Sequence, residues 1–507
     1  MEKPPELKNV GQSEKKEGLL YAEKGYAAYL GEFQKAVDSS LAELRENKIV
    51  QRIWDHDHTV WKTDPKEITN RLDWLHSPEE MSEAVAEIQN FVKAVRADGF
   101  THALLLGMGG SSLAPEVFRL TFGVKESYLD LAVLDSTDPG TVLEKRALAD
   151  PRKTLFIVST KSGGTVETVS FMKYFYNETL EAVGRSEAGD HFIAITDPGS
   201  GLESIAKELK FRKIFLNNPN IGGRYSALSF FGLVPAALIG VDISVVLERA
   251  AAMADNARSS NCPVDGDNTS AWLGSTIGEL AKAGRDKVTL IVSPELQYFG
   301  AWVEQLVAES TGKEEKGLLP VTDEAVLSSG AYGRDRLFVY LRLAADSTWD
   351  KDVQAFKEAD QPVIQLNLRD LYDLGGEFFR WEMATVIAGQ RMGINPFDQP
   401  NVESAKLRAK EMVAVYSKEG KLPEENPTFA SEEVQIFSDF KVKSHREALE
   451  KFLAAVEPGE EESRGRSYIA IQAYVHPTPE ADRSLQDLRT KIQKYCRTAV
   501  TVGYGPR

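Results

Sequence analysis

The sequence predicts an α/β protein whose core is a doubly wound parallel sheet. Two observations lead to this fold class. Short runs that are apolar throughout recur along the chain, and most of them are followed by a loop and a helical segment. Such runs are typical of parallel strands that helices cover on both faces. The 507 residues, 42% of them hydrophobic and 27% charged, suffice for about two to four globular domains.

The first half of the chain contains a helical segment and then a sheet. Residues 1–95 are predicted to form an N-terminal helical segment, with helices from about residue 21 and a final amphipathic stretch "PEEMSEAVAEIQNFVKAVRADG". A first α/β domain is predicted over 96–245, closed by the buried helix "LSFFGLVPAALIG". Its strands are expected at 103–107, 131–135, 154–159, 191–196 and 213–217.

The second half repeats this alternation more loosely. A second α/β domain is predicted over 246–425, and the helix "GGEFFRWEMATVIAGQRMG" is expected to present one apolar face. A polar linker with proline and glycine is predicted at 417–431, before a small α/β C-terminal extension at 426–507. The remaining predicted elements are strands at 288–293, 336–343, 362–368 and 467–475, and a helix at 479–495.

Composition and charge exclude several classes of function. No run of about eighteen apolar residues is present, so no membrane span is expected. The polar N-terminal stretch has no apolar core of a secretory signal. A formal net charge of −16 argues against a nucleic-acid partner. The two cysteines, Cys262 and Cys496, form no disulfide framework or metal-ligand spacing, which fits the cytoplasm.

The loop "GMGGSSLAP" after the first strand resembles a nucleotide-binding turn but fails as a dinucleotide motif. Its glycines at 107, 109 and 110 do not give G-x-G-x-x-G, because position 112 is serine. Asp135, about 25 residues further on, is no clear counterpart of the acidic residue that binds the ribose. The alternative is a tight strand-to-helix turn that Ser111 or Ser112 caps.

The loop "STKSGGTVET", residues 159–168, is the strongest candidate for a phosphate site. Hydroxyls, a lysine, two glycines for close backbone approach and a helix that begins near Val166 converge on one point. The loop lacks the order of a P-loop. The alternative is an N-capped helix with a solvated lysine. The candidate residues are Thr160, Lys161, Ser162, Gly163, Gly164 and Thr165.

Three charged residues are candidates for chemistry. Arg224 follows two glycines in "GGRYSALS" and can stabilise an anion, or form a surface ion pair. Glu309 shares a helical face with Trp302, Gln305 and Leu306, and apolar surroundings near a helix C-terminus would disfavour its ionised form. Lys406 borders the apolar face of the helix that follows Gln399, or is a solvated lysine.

A metal site is not expected. His56 and His58 stand beside two aspartates in "WDHDHTVW", but no third ligand follows at a defined spacing.

Five stretches, taken together and in order, resemble the glucose-6-phosphate isomerase (phosphoglucose isomerase) family over roughly residues 100–415. They are "GMGGSS", "STKSGGTVET", "GGRYSALS", "ESTGK" and "FDQPNVESAK". The flanks "DHTVWK" and "AYVHPTPEAD" look more like the isomerase half of fused transaldolase–phosphoglucose isomerase proteins. The resemblance implies two sugar-isomerase (SIS) domains, each a parallel sheet flanked by helices. It also implies a cytoplasmic homodimer that needs no metal or cofactor and binds a phosphorylated hexose.

The resemblance also implies roles for individual residues. Glu309 matches the base that moves a proton between C2 and C1, Arg224 the arginine that stabilises the enediolate, and Lys406 the lysine that assists ring opening. The residues that match substrate-binding positions are Gly110, Ser111, Gln305 and Gln399, together with the phosphate loop at 160–165. One base, an electrostatic partner for the oxyanion and a remote phosphate anchor are what proton transfer next to a carbonyl requires.

One departure from the family concerns ring opening. The family's histidine, expected about 20 to 30 residues after the base, is absent from "PVTDEAVLSSGAYGRD", and residues 192–444 contain none. His445, His476 or Lys406 could replace it. The fused relatives continue beyond "TVGYGPR", so a truncated chain is the other explanation expected for the missing histidine.

The function that these residues favour is isomerisation of glucose 6-phosphate to fructose 6-phosphate; mannose 6-phosphate remains open. The runner-up is a non-catalytic regulator that binds a sugar phosphate on the same fold, which would not need Glu309, Arg224 and Lys406 together. A dehydrogenase is third, because the dinucleotide motif fails.

Overall fold

A computed structural model describes residues 25–259, 268–423, 425–456 and 467–505 of the chain. Its strands are β1 (Tyr26–Tyr29), β2 (His102–Gly107), β3 (Asp130–Leu134), β4 (Thr154–Ser159), β5 (Phe192–Thr196), β6 (Lys213–Leu216), β7 (Lys287–Val292), β8 (Leu319–Val321), β9 (Arg336–Leu343), β10 (Val363–Leu368), β11 (Phe429–Ala430), β12 (Gln435–Ile436), β13 (Tyr468–Ala473) and β14 (Ala499–Tyr504).

The α-helices alternate with these strands over most of the chain. They are α1 (Gln34–Glu46), α2 (Ile49–Trp54), α3 (Ser77–Ala97), α4 (Leu113–Phe122), α5 (Pro139–Leu148), α6 (Val166–Val183), α7 (Gly201–Glu208), α8 (Phe230–Leu238), α9 (Ile243–Arg258), α10 (Thr269–Lys282), α11 (Phe299–Thr311), α12 (Asp350–Glu358), α13 (Leu374–Met392), α14 (Pro400–Glu419), α15 (His445–Ala454) and α16 (Pro479–Cys496).

The first sheet is parallel throughout and confirms the predicted α/β class. Its strands lie in the order β3-β2-β4-β5-β6, and β2, β4 and β5 are apolar runs whose residues are mostly buried, whereas only Phe215 is buried in β6. The chain moves outward from β2 to β3 and then returns to β4 on the other side of β2. Gly107 of β2 is paired with Ser159 of β4, so both strands end at the same level. The loops after β2 and β4 therefore open side by side at the switch point, where such sheets bind ligands.

The second sheet repeats this arrangement with one difference. Its order is β1-β10-β9-β7-β8, and β7, β8, β9 and β10 are parallel. β1 pairs with β10 in the antiparallel sense, with Tyr26 opposite Leu366. Residues 21–95 were predicted to be helical, and for Tyr26–Tyr29 this prediction is wrong. Pairing with the edge strand decides the conformation of these four residues, which carry little periodic signal of their own.

Helix α13 lies between the two sheet units and is more buried than predicted. Every residue from Leu374 to Gly389 is buried, rather than one apolar face alone. Its polar side chains are therefore buried with it, and Arg380 Nη1 lies 2.7 Å from Glu377 Oε1. No helix among the described residues has the length and apolar character needed to cross a membrane.

The C-terminal part contains the predicted strand and helix, and adds elements that were not predicted. The linker expected at 417–431 overlaps the end of α14 and includes β11, which pairs with β12. β14 lies parallel to β13, with α16 as the crossover helix. Arg489 of α16 is buried and donates to the carbonyls of Thr322 (2.7 Å) and Asp323 (2.8 Å), just after β8. These hydrogen bonds join the extension to the second sheet.

Candidate functional site

A cleft of about 1060 Å³ lies at the carboxyl ends of β2 and β4 and brings most of the predicted site residues together. Strand ends, the turn before α8, the end of α11 and the start of α14 all contribute to its wall. The predicted residues that line the cleft are Gly110, Ser111, Thr160, Lys161, Ser162, Thr165, Arg224, Gln305, Glu309 and Gln399.

An ion pair between Arg224 and Glu309 forms one end of the cleft. Arg224 Nη1 lies 3.1 Å from Glu309 Oε1, and the side chains are 3% and 23% exposed. Gln399 contacts both partners when its amide nitrogen faces Glu309 Oε1 (3.2 Å) and its oxygen faces Arg224 Nη1 (2.9 Å). The apolar surroundings predicted for Glu309 are therefore wrong, because its carboxylate faces a guanidinium and an amide across a polar cleft.

The segment before α14 holds this ion pair in place. Arg224 Nη2 donates to the carbonyls of Pro396 (3.1 Å) and Phe397 (3.0 Å). The buried ammonium of Lys313 donates to the carbonyls of Asn395 (2.8 Å) and Asp398 (2.6 Å) and contacts the carboxylate of Asp398. Burial lowers the pKa of Lys313, and its partner Asp398 opposes this shift. Arg224 and Lys313 thus satisfy backbone carbonyls that would otherwise be unpaired in the interior.

The loop after β4 has the groups that a phosphate needs. The hydroxyls of Thr160 and Thr165 lie 3.0 Å apart in the cleft wall, and the backbone nitrogen of Gly164 donates to Ser162 Oγ (3.3 Å). Thr165 is the N-cap residue of α6, yet its side chain makes no capping hydrogen bond in the described structure. The first turn of α6 therefore presents backbone N–H groups and the positive end of its dipole to an anion.

Lys161 has a positioning contact that the sequence did not indicate. Its ammonium forms an ion pair with Asp197, which follows β5, and donates to the carbonyl of Pro219 (2.8 Å). Burial raises the pKa of Asp197, and the ion pair with Lys161 opposes this shift. Because Lys161 joins the loops after β4, β5 and β6, much of its charge is already compensated within the protein. Asp197 follows an apolar run, and this position was the signal that could have identified it.

The glycines of the two loops serve close packing. Gly163 has φ +68°, and a Cβ there would lie 2.4 Å from the backbone nitrogen of Leu202 in α7. A Cβ on Gly110 would lie 2.2 Å from the carbonyl oxygen of Gly223. Gly163 and Gly164, both predicted to bind substrate, are not among the described residues that line the cleft. Gly163 thus brings the phosphate loop against α7, and Gly110 brings the first loop against the turn that carries Arg224.

Three cationic residues of the N-terminal segment also line the cleft and were not predicted as site residues. Arg71 donates to Glu67 (2.7 Å), and Lys62 to Glu314 (3.0 Å) and to the carbonyl of Gly393 (3.1 Å). Lys66 has an exposed side chain at the cleft mouth. The stretch "DHTVWK", which ends at Lys62, was noted only as part of a resemblance, although Lys66 and Arg71 follow it within nine residues.

The histidines lie elsewhere. No described residue of the cleft wall is a histidine, and none comes from residues 320–335. His476 contacts Thr141 Oγ1 (3.1 Å) at the start of α5, and His445 is exposed at the start of α15. His58 Nε2 lies 3.2 Å from the carbonyl of Thr63. Lys406 lies on α14, but its side chain is outside the described residues, so its predicted position at the substrate stays a prediction.

Two helix-flanked sheets, with a polar cleft at the switch point of the first, define a doubly wound α/β protein with a ligand-type cleft. The family model for phosphoglucose isomerase matches residues 45–330, which is more than half of the chain. The chain therefore belongs to the phosphoglucose isomerase family.

Individual relatives agree with this assignment. The glucose-6-phosphate isomerase of Parabacteroides distasonis is 26% identical over 69% of this chain and 88% of its own length. That of Thermosynechococcus vestitus is 29% identical over 69% of this chain and 73% of its own length. Two solved structures share the fold. A hypothetical protein of Thermus thermophilus has a TM-score of 0.65 and 23% sequence identity, over 76% of this chain and 100% of that one. A glucose-6-phosphate isomerase of Chlamydia trachomatis has a TM-score of 0.64 and 17% identity, over 78% of this chain and 89% of that one.

Proposed function

We propose that the protein is an aldose–ketose isomerase that interconverts glucose 6-phosphate and fructose 6-phosphate through a cis-enediolate. The observation that carries the proposal is the Arg224–Glu309 pair, 3.1 Å apart, in the same cleft as the phosphate-type loop at 160–165. A carboxylate beside a guanidinium suits proton transfer next to a carbonyl. The relatives described above carry the name of this activity.

The phosphate end of the substrate is assigned to the loop after β4. The hydroxyls of Thr160, Ser162 and Thr165 and the first turn of α6 supply donors to the phosphate oxygens. Lys161 supports the loop through its ion pair with Asp197. This anchor lies away from the reacting carbons, so its binding energy orients them toward Glu309.

The reacting end of the substrate is assigned to Glu309, Arg224 and the two glutamines. In the open-chain aldose, the Glu309 carboxylate removes the proton on C2, and the C1 carbonyl oxygen becomes the enediolate oxygen. Arg224 stabilises that negative charge. A proton moves from the O2 hydroxyl to O1, and the Glu309 carboxyl returns its proton to C1, which yields the ketose. Gln305, Gln399, Gly110 and Ser111 line the wall around the sugar.

Ring opening is assigned to Lys406. It lies on α14, whose first residue, Pro400, lines the cleft. The chemistry uses acids and bases of the protein, and we propose no metal or cofactor for it. The protein is further proposed to be a cytoplasmic homodimer, as the family resemblance implies.

The Thr165→Val substitution is expected to raise KM for glucose 6-phosphate by about tenfold and to change kcat less, because a hydroxyl donor to the phosphate is lost. Steady-state kinetics measure both constants. Ser170→Ala is the matched control, since Ser170 lies on the same helix and its hydroxyl donates to the carbonyl of Val166 outside the cleft. An unchanged KM in Thr165→Val would contradict the phosphate site.

The activity itself is tested with the full chain and glucose 6-phosphate in the presence of EDTA. Formation of fructose 6-phosphate at the same rate with and without the chelator is the expected result. Binding of fructose 6-phosphate without turnover would overturn the proposal and favour a non-catalytic sugar-phosphate regulator. Mannose 6-phosphate in the same assay defines the breadth of the substrate class.

A further inference from the structure

A second cavity of about 880 Å³ lies at the carboxyl ends of β9 and β10 in the second sheet. Its place matches that of the phosphate loop in the first sheet. The order β3-β2-β4-β5-β6 corresponds to β8-β7-β9-β10-β1, so the connection from β9 to α12 corresponds to that from β4 to α6. None of the described residues that line this cavity lines the catalytic cleft.

The cavity wall carries an excess of positive charge in a chain whose net charge is −16. Five cationic and three acidic side chains contribute: Arg249, Arg342, Lys357, Arg369 and Arg380, with Asp350, Asp373 and Glu377. A local excess of this kind, inside a cavity, concentrates small anions. Its volume falls within the usual range for small-molecule sites, about 300 to 1,000 Å³.

Two of the arginines have donors that the protein does not satisfy. Arg249 lies 3.7 Å from Asp373 and 3.6 Å from Asp370, beyond hydrogen-bond distance, and its buried Nε has no hydrogen-bond partner among the described residues. Arg380 is 6% exposed, and its Nε likewise has none. A buried donor without a partner costs about 1 to 3 kcal/mol, so an acceptor at this position would be stabilised.

The acidic side chains of the cavity already form ion pairs with arginines of its wall. Asp350 accepts two hydrogen bonds from Arg342 (2.8 and 3.0 Å), and Asp373 accepts from Arg369 (2.9 Å). Glu377 Oε1 lies 2.7 Å from Arg380 Nη1, and burial raises the pKa of Glu377 while Arg380 opposes this shift. The guanidinium donors of the cavity that lack a hydrogen-bond partner among the described residues therefore belong to Arg249 and Arg380, which α9 and α13 place in one wall.

Neutral hydrogen-bonding side chains line the rest of the cavity. They are Asn256, Thr269, Gln354, Gln365 and Asn367. Guanidinium groups bind the oxygens of a phosphate ester in a fork, while amides and hydroxyls bind sugar or polyol hydroxyls. We propose that this cavity is a second ligand site, which binds a small phosphorylated polyol through Arg249 and Arg380 and is separate from the catalytic cleft.

The test is calorimetric titration of the full chain with sorbitol 6-phosphate, which lacks a carbonyl and cannot be isomerised. Two sites per chain are expected. Arg249→Gln is expected to weaken one of them by about tenfold or more, because a charged donor is lost. Arg258→Gln is the matched control, since Arg258 lies on the same helix outside the cavity and pairs with Glu79 (2.7 Å). Thr165→Val is expected to weaken the other site.

Several results would overturn the proposal: a single site in the wild-type protein, two unchanged sites in Arg249→Gln, or citrate binding as tightly as sorbitol 6-phosphate. If Arg249→Gln melts at a lower temperature, Arg369→Gln replaces it, because that side chain is 68% exposed and tolerates substitution. Its loss releases Asp373, which lies 3.7 Å from Arg249 Nε, to compensate Arg249, so it is expected to weaken the same site. The titration does not depend on turnover, so it tests the second site independently of the proposed isomerase activity.

Discussion

Glu309→Gln is expected to lower kcat for the isomerisation by about 10²- to 10⁴-fold and to change KM little, because the positioned base is lost. The amide oxygen of glutamine can still accept a hydrogen bond from Arg224 Nη1, which lies 3.1 Å from Glu309 Oε1 in the wild-type protein. Binding geometry is therefore retained, while no group remains to accept the C2 proton. Steady-state kinetics and exchange of C2 hydrogen in heavy water measure the loss, which should affect both to a similar extent.

Glu304→Gln is the matched control for this experiment. Glu304 lies on α11 with Glu309 but outside the described cleft wall, and its carboxylate accepts from Thr322 Oγ1 (3.2 Å). Its substitution is expected to leave kcat close to the wild-type value. If Glu309→Gln retains robust turnover and C2 exchange, Glu309 is not the base, and the assignment of the reacting end of the cleft is wrong.

Arg224→Lys is expected to lower kcat by about 10²- to 10³-fold, because one ammonium cannot replace the guanidinium fork. Arg224 reaches the Glu309 carboxylate through Nη1 and two backbone carbonyls, of Pro396 and Phe397, through Nη2. Lysine can serve only part of this set, so the segment before α14 loses a support and the free energy of unfolding should fall by about 1 to 3 kcal/mol. Kinetics and urea unfolding measure the two effects.

The control for Arg224→Lys is Arg212→Lys in the same sheet unit. Arg212 forms an ion pair with Asp98 (2.6 Å) and donates to the carbonyl of Asp190 (2.6 Å), away from the cleft. It is expected to change stability modestly and to leave kcat unaltered. A wild-type kcat in a fully folded Arg224→Lys protein would remove Arg224 from the mechanism, while leaving its hydrogen bonds to the 396–397 segment as a structural contribution.

Long apolar runs were predicted well, while several short strands were missed. β2, β4 and β9 were predicted to within one or two residues, because their residues are mostly buried and hydrophobic. β1 and β8, of four and three residues, were missed because they are too short to show a periodic hydrophobic pattern. Their strand conformation depends on pairing with neighbouring strands of the sheet. β14 was missed as well, although its "AVTVGY" alternates weakly.

The candidate site shows the same division. Motifs identified the loop at 160–165, Arg224 and Glu309, and the fold places them in one cleft; their individual roles remain predictions. Asp197 and Lys313 were not assigned, since each acts through a contact with a distant segment. Lys313, for example, reaches carbonyls at 395 and 398, more than eighty residues along the chain. The cations from Lys62 to Arg71 were not assigned either, since their place in the cleft wall depends on the folded chain.

Local pattern was enough to establish the α/β class, the hydroxyl-rich phosphate loop and the resemblance to one isomerase family, because burial of strands and the chemistry of a loop are properties of neighbouring residues. Strand order, the paired ends of β2 and β4, the meeting of Arg224 with Glu309 and Gln399, and the second cavity with Arg249 and Arg380 came only from the folded chain. These features depend on residues far apart in sequence, and the packing of the two sheets brings them within hydrogen-bond distance or into one cavity wall.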